Sequence, residues 1–322
     1  MEEIPLLVIL GPTAVGKSEI AISLAQKIKG EIISADSMQL YQGMNLGTAK
    51  PSLLEQKVVS HHLIDLLKPD GSFNVFDYAK EVEKVIKKIH RRKKIPILVG
   101  GSGLYIRAVV DGLFENPKID SEKKSIAKEK LRNKSTDFLY EELRRVDQKA
   151  SEKIHPHDRR RIKRALEVFY TTGIPISVLQ RKKPAKPFQP LLIGISRERK
   201  ELYQRINERV DEIFAKGFID EVKTLLKSGY TENLNSMQAI GYQETIVCLK
   251  NERSLAETIE LIKKNTRRYA KRQLSWFRQD KRINWLSLDN EETPLKVVVR
   301  IETLFRNFLI KLEEKNGEKK NL

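Results

Sequence analysis

The chain has 322 residues, 40% of them hydrophobic, enough for one large α/β domain with an insertion or for two domains. Its formal net charge of +18 points to a polyanionic partner, with a lysine-rich solubilising surface as the plainer alternative. The single cysteine, Cys248, excludes an internal disulfide and a Cys-x-x-Cys zinc site, and no apolar run approaches the roughly 20 residues that span a bilayer.

Met1-Glu2-Glu3 lacks the basic flank of a signal peptide, so a cytoplasmic protein with no membrane contact is expected. Leu6 to Leu10 (LLVIL) reads as a buried strand, and Ser18 to Ile28 as a helix with Ile20, Leu24 and Ile28 on one face. Between them lies Gly11-Pro12-Thr13-Ala14-Val15-Gly16-Lys17-Ser18, which fits the phosphate-loop pattern G-x-x-x-x-G-K-[ST] at every fixed position. Glycines let successive N–H groups turn inward, the helix N-terminus favours an anion, Lys17 adds a full charge, and Ser18 can offer a hydroxyl to a phosphate-bound Mg²⁺. The loop alone does not say which phosphate it holds, or whether that phosphate is transferred or leaves.

Glu31 to Ala35 reads as a second strand, Phe76 to Arg92 as an amphipathic helix, and Ile95 to Val99 as a third strand ending in Gly100-Gly101-Ser102-Gly103. From about residue 118 to 187 the chain is charged and helical, closing in the basic linker Arg181 to Pro187. Leu191 to Ser196 then resumes the strand pattern, followed by mostly helical sequence with one more strand at Ile283 to Leu286. The expectation is an α/β fold: a parallel, phosphate-loop NTPase-like sheet covered by helices on both faces, plus an all-helical insertion. The core would comprise residues 1–117 and 188–315, the insertion 118–187, and a frayed, disordered tail 316–322. Cys248 is expected as a small core residue, and the five histidines lack metal-ligand spacing.

In an open parallel sheet ligands bind at the carboxyl ends of the strands. The phosphate loop, Asp36 and the Gly100–Gly103 turn all leave such ends. Asp36 could cap its own turn, hold Mg²⁺ through water, or act as general base, and position alone does not rank these. Thr13 could touch a phosphate-ester oxygen or bond its own backbone.

Two basic faces stand out. At about 100° per residue, Lys264, Arg267, Arg268, Lys271, Arg272 and Arg278 share one side of a helix whose other side carries Ile259, Ile262, Thr266, Tyr269, Trp276 and Phe277. Arg159 to Arg164 forms a second cluster in the insertion, with Ile162, Leu166 and Phe169 as its buried side. Segregated cationic faces favour phosphate-backbone contact over a merely solvated surface.

These segments together resemble the tRNA dimethylallyltransferase (tRNA isopentenyltransferase) family, bacterial type. The resemblance rests on GPTAVGKS at Gly11 to Ser18, ADSMQLY at Ala35 to Tyr41, GTAKP at Gly47 to Pro51 and HHLID at His61 to Asp65. It continues through GGSGLY at Gly100 to Tyr105, DRRRIKRALEV at Asp158 to Val168, QAIGYQE at Gln238 to Glu244 and YAKRQLSWFR at Tyr269 to Arg278. It implies transfer of a dimethylallyl group from dimethylallyl diphosphate to the exocyclic amine of the adenine 3′-adjacent to the tRNA anticodon. Asp36 would be the base and Thr13 the hydroxyl on the bridging oxygen of the leaving group, with Gly11 to Ser18 cradling the diphosphate and Mg²⁺ on Ser18. Arg205 and Arg209 are alternative diphosphate clamps. The anticodon stem-loop would contact Asp36, Ser37, Met38 and Gln39, then Ser102 (threonine in many members), and Arg160, Arg161, Ile162, Lys163 and Arg164. The absence of further cysteines argues against an appended zinc finger, and a monomer is the default. A phosphate-loop small-molecule kinase, an adenylate isopentenyltransferase and a non-enzymatic RNA-binding protein are the rival readings.

Overall fold

Strand β1 (Ile4–Leu10) is apolar throughout because both of its faces are covered: Leu7 and Ile9 enter one core, Leu6, Val8 and Leu10 the other. The computed structural model describes residues 3–113, 121–181, 186–288 and 293–318. Its contacts divide the chain into two compact units, Met1–Val110 with Pro187–Leu322, and Asp111–Lys186.

In the first unit β1 leads through the phosphate loop into α1 (Lys17–Ile28). Gly16 precedes α1 in the left-handed region, φ 105°, which residues with a Cβ rarely adopt. Strand β2 (Gly30–Ala35), the short α2 (Leu53–Val58) and β3 (His61–His62) follow. Helix α3 (Val75–Arg91), capped by the Asn74 side chain, leads to β4 (Ile95–Gly100) and α4 (Gly103–Val110).

The second unit holds α5 (Ser121–Leu131), α6 (Thr136–Val146), α7 (Gln148–Ser151), α8 (Arg159–Thr172) and α9 (Ile176–Leu179), with no strand among the described residues. Leu139, Leu143, Ile162, Leu166, Ile176 and Leu179 form its separate core. Buried Asp147 accepts from the N–H groups of Ala150 and Ser177, tying α7 to α9.

The chain then returns to the sheet as β5 (Phe188–Arg197), followed by α10 (Arg199–Ala215), α11 (Phe218–Lys227), α12 (Tyr242–Leu249), α13 (Leu255–Phe277), β6 (Asn284–Leu288) and α14 (Pro294–Glu318). The six strands are all parallel, in the order β3-β2-β4-β1-β5-β6. Ala35 and Leu10 both pair in register with Gly100. The carboxyl ends of β2, β4 and β1 are therefore level, and the three loops that follow start side by side.

Four features differ from expectation. Strand β3 was hidden because two residues carry no period; it is fixed by His62, whose Nε2 meets buried Glu31 Oε2 at 2.7 Å. Phe169 is only half-buried, since Val168 takes the core position instead. Cys248 is likewise half-buried. The tail is helical as far as Glu318, with Leu312 buried and Lys315 Nζ 3.2 Å from Glu3 Oε2. The boundary expected at 117–118, linker positions 182–185 and the tail from 319 lie outside the described residues. Among the described residues no helix is long and apolar enough to cross a membrane.

Candidate active site

The level strand ends bring the phosphate loop, Asp36 and the Gly100–Gly103 turn together in one unit. Lys17 sits at the first position of α1 and curls back to donate from Nζ to Pro12 O at 2.6 Å. Burial pushes its ammonium down to about 7, the Arg209 charge pushes the same way, and Asp36 opposes both. Arg209, on α10, donates from Nη1 to Thr13 Oγ1 at 2.9 Å. Burial lowers its pKa as well, countered by Asp36 and Glu212. Two desolvated cations thus face one loop.

The Thr13 hydroxyl accepts from Arg209 rather than bonding its own backbone. The two candidate clamps also separate. Arg205 Nε donates to Ala14 O at 3.1 Å and braces the loop's main chain, whereas Arg209 grips the side chain beside Lys17. Arg197 adds a further brace, donating from Nε to Val15 O at 3.0 Å while pairing with Glu201.

Asp36 follows the last residue of β2. Its Oδ1 accepts the Met38 N–H at 2.8 Å, so it does cap its own turn. Its Oδ2 has no hydrogen-bond partner among the described residues. Its charge reaches Lys17 and Arg209 and also the phenols of Tyr78, Tyr105 and Tyr269. Burial first, and then the Asp36 charge, push Tyr269 up to about 12, so this phenol stays neutral beside the carboxylate. Tyr105 is pushed up to about 12 by burial, the Tyr41 phenol and Asp36.

Ser102 Oγ accepts the Ser37 N–H at 3.4 Å. Gln39 spends its amide internally. Its Oε1 accepts from Ser34 Oγ at 2.8 Å, and its Nε2 reaches Thr48 O at 3.2 Å and Ala49 O at 3.0 Å. The loop that carries Gly47 to Pro51 is held from the other side by Glu221, which accepts from the N–H groups of Asn45 and Leu46 and from the Tyr242 hydroxyl.

Sequence reasoning missed Gln273 and Tyr269. Both lie within the quoted YAKRQLSWFR block. Gln273 falls on the buried stripe of α13 with Ile262, Ala270 and Phe277, and a polar residue on an apolar stripe was the available signal. On the opposite side Lys264, Arg268, Lys271 and Arg272 are exposed, as the periodicity predicts, while Arg267 turns to Asn207. Arg268, Lys271, Arg272, Ser275, Trp276 and Gln279 line a groove there.

In the second unit Arg160, Arg161 and Arg164 are exposed and Lys163 is half-exposed. Ile162 is 0% exposed, which corrects its assignment to the RNA surface. Its side chain is core, and its N–H is spent on Asp158 O at the start of α8.

The IPP transferase family model matches residues 39–280. The chain belongs to the IPP transferase family. It is 48% identical over 283 residues to a tRNA dimethylallyltransferase of Geobacter sulfurreducens, covering 87% of this chain and 91% of the relative. A tRNA dimethylallyltransferase of Halothermothrix orenii is 45% identical over 309 residues, with 95% and 94% covered. Among solved structures, the tRNA isopentenylpyrophosphate transferase of Bacillus halodurans aligns with TM-score 0.71 at 38% identity, covering 98% of this chain and 99% of that one. A eukaryotic dimethylallyltransferase acting on tRNA aligns with TM-score 0.82 at 28% identity, over 97% and 80%.

Proposed function

We propose that this IPP transferase moves the dimethylallyl group of dimethylallyl diphosphate onto the exocyclic amine of the adenosine 3′-adjacent to the anticodon of tRNA, in the cytoplasm and as a monomer. The observation that carries the reading is geometric: Lys17 Nζ, 2.6 Å from Pro12 O, and Arg209 Nη1, 2.9 Å from Thr13 Oγ1, gather on one phosphate loop beside Asp36, whose Oδ2 has no hydrogen-bond partner among the described residues. Such a pocket calls for an anion, and a carboxylate poised beside it calls for a proton to remove.

As the allylic C–O bond breaks, its electron pair passes to the leaving diphosphate. Lys17, Arg209 and the loop amides stabilise that charge where it develops. The adenine amine, a poor nucleophile because its lone pair is delocalised, forms the new N–C bond while Asp36 Oδ2 accepts its proton. Thr13 presents its hydroxyl, oriented by Arg209, to the bridging oxygen. The phenols of Tyr78, Tyr105 and Tyr269, raised by burial, stay neutral and offer no competing base.

Ser18 is exposed at the start of α1, and its hydroxyl has no partner among the described residues. Among those residues no cluster of three or more acidic, His or Cys side chains could cage a metal. This donor set fits Mg²⁺ brought in on the diphosphate, with Ser18 as its protein ligand, and such an ion would neutralise leaving-group charge.

The basic face of α13, the exposed Arg160, Arg161 and Arg164 of α8 and the half-exposed Lys163 supply phosphate-backbone contacts. In this reading Asp36, Ser37, Met38, Gln39 and Ser102 contact the flipped base.

The test is mass spectrometry of tRNA nucleosides after incubation of the purified chain with dimethylallyl diphosphate, in parallel with ATP. Prenylated adenosine at the position following the anticodon is the expected product. Its absence, or phosphoryl transfer from ATP in its place, would overturn the reading.

A further inference from the structure

Gln273 is 7% exposed and lies on the side of α13 that packs into the first unit. Its Oε1 accepts the Thr13 N–H at 2.9 Å, and its Nε2 donates to Gly101 O at 2.9 Å. A buried amide satisfied at both ends is costly to replace, because an apolar substitute strands two backbone groups. The fit is close on the Gly101 side, where a Cβ would overlap Gln273 Nε2.

The peptide group joining Pro12 to Thr13 is gripped at both ends. Gln273 takes its N–H and Lys17 Nζ takes its carbonyl oxygen, at 2.9 and 2.6 Å. A peptide plane held in this way does not flip. The direction of the Thr13 hydroxyl and the place of the Lys17 ammonium both follow from it. The second contact fixes Gly101, whose neighbour Ser102 faces the Ser37 N–H at 3.4 Å, one residue past Asp36. One side chain therefore spans the gap between the loop of β1 and the loop of β4.

We infer that Gln273 is a positioning residue for the transfer reaction. It orients the Pro12–Thr13 peptide and, through Gly101, sets the spacing between the leaving-group cup and Asp36. The inference rests on the reaction proposed above. Gln273 touches no reacting atom; it acts through Thr13, Lys17 and Gly101.

The experiment is steady-state kinetics of the full chain with dimethylallyl diphosphate and tRNA, alongside tRNA affinity and thermal unfolding. Gln273→Met keeps the length and removes both hydrogen bonds. It is expected to lower kcat about 10- to 100-fold, the scale of a mispositioned reactive group, with tRNA affinity unchanged. Gly101→Ala leaves Gln273 in the sequence but pushes its amide away, and should lower kcat in the same direction. Gln273→Glu supplies a pH signature. The protonated carboxyl can accept from Thr13 and donate to Gly101, whereas the carboxylate cannot donate. Its activity relative to wild type should rise as pH falls. A Gln273→Met enzyme with wild-type kcat would overturn the inference. So would losses of kcat that only track the unfolding midpoint, with a Gln273→Glu profile parallel to wild type. If the wild-type chain makes no prenylated adenosine, it is the transfer reading that fails.

Discussion

The guanidinium of Arg209 donates to the hydroxyl of Thr13 at 2.9 Å, across 196 positions of the chain. One is the side chain of a loop residue, the other projects from α10, and only the return of the chain to the sheet after the second unit joins them. The contact distinguishes Arg209 from Arg205, one turn away, whose guanidinium is spent on the Ala14 carbonyl at 3.1 Å.

Arg209→Ala is therefore expected to cost about 10²- to 10³-fold in kcat, as removal of a donor at a developing charge does, and to raise KM for dimethylallyl diphosphate. Arg205→Ala should act mainly by lowering the unfolding midpoint. Steady-state kinetics and thermal melts of the two variants, side by side, check this ordering.

Lys17 provides a proton readout. Its pKa is about 7 in the folded chain, below the ordinary lysine value, so the unfolded chain holds the extra proton between the two. Stability contributed at this residue rises with pH across that window, and the buried ammonium is a cost below it. Diphosphate should restore the charge, so its binding at about pH 8.5 should take up a proton that is not taken up well below pH 7. Calorimetry in buffers of different ionisation enthalpy measures the uptake, and Lys17→Met should abolish that component.

Asp36→Asn keeps a side-chain oxygen for the Met38 N–H at 2.8 Å and removes the basic oxygen. Transfer should fall by about 10²- to 10⁴-fold while tRNA affinity stays close to wild type. Single-turnover formation of prenylated adenosine, with filter binding of tRNA, separates the two quantities.

On α8, charge and core lie one position apart. Arg161→Glu with Arg164→Glu should weaken tRNA binding and flatten the log–log salt slope by about 0.7–0.9 for each phosphate no longer neutralised. Ile162→Ala should instead destabilise the second unit by about 2–5 kcal/mol, since Ile162 is fully buried. Binding isotherms across a salt series and denaturant unfolding tell the two effects apart.

Glu31 is nearly fully buried at the start of β2. Burial pushes its carboxyl up, but hydrogen bonds from Lys94 and His62 and the nearby Arg92 charge outweigh this and hold it below the usual carboxylate range. Its contribution to stability is thus present above the ordinary carboxylate pKa and is lost as pH falls through the lowered one. Glu31→Gln should lower the melting midpoint at neutral pH, with the difference shrinking in acid.

The periodic elements were legible because their period is written in neighbouring residues. Ile95 to Val99 and Leu191 to Ser196 read as buried strands, and the exposed cations of α13 fell on the predicted side. His61–His62 is too short to carry a period; Ile162 enters the RNA-contact run only through the family resemblance, while the helical stripe it shares with Leu166 already places it in the core. Gln273 was passed over for the converse reason: a glutamine among lysines and arginines reads as surface until the face it occupies is known.

The sequence by itself determined the phosphate loop, the strand ends that place Asp36 beside it, and the family motifs, because each is a local pattern of residue types within one or two turns of chain. Only the tertiary structure decided that Arg209 and not Arg205 holds Thr13, and that Gln273 locks the Pro12–Thr13 peptide. Those facts depend on contacts between segments far apart in the chain, where hydrogen-bond geometry and burial, not local periodicity, choose the partner.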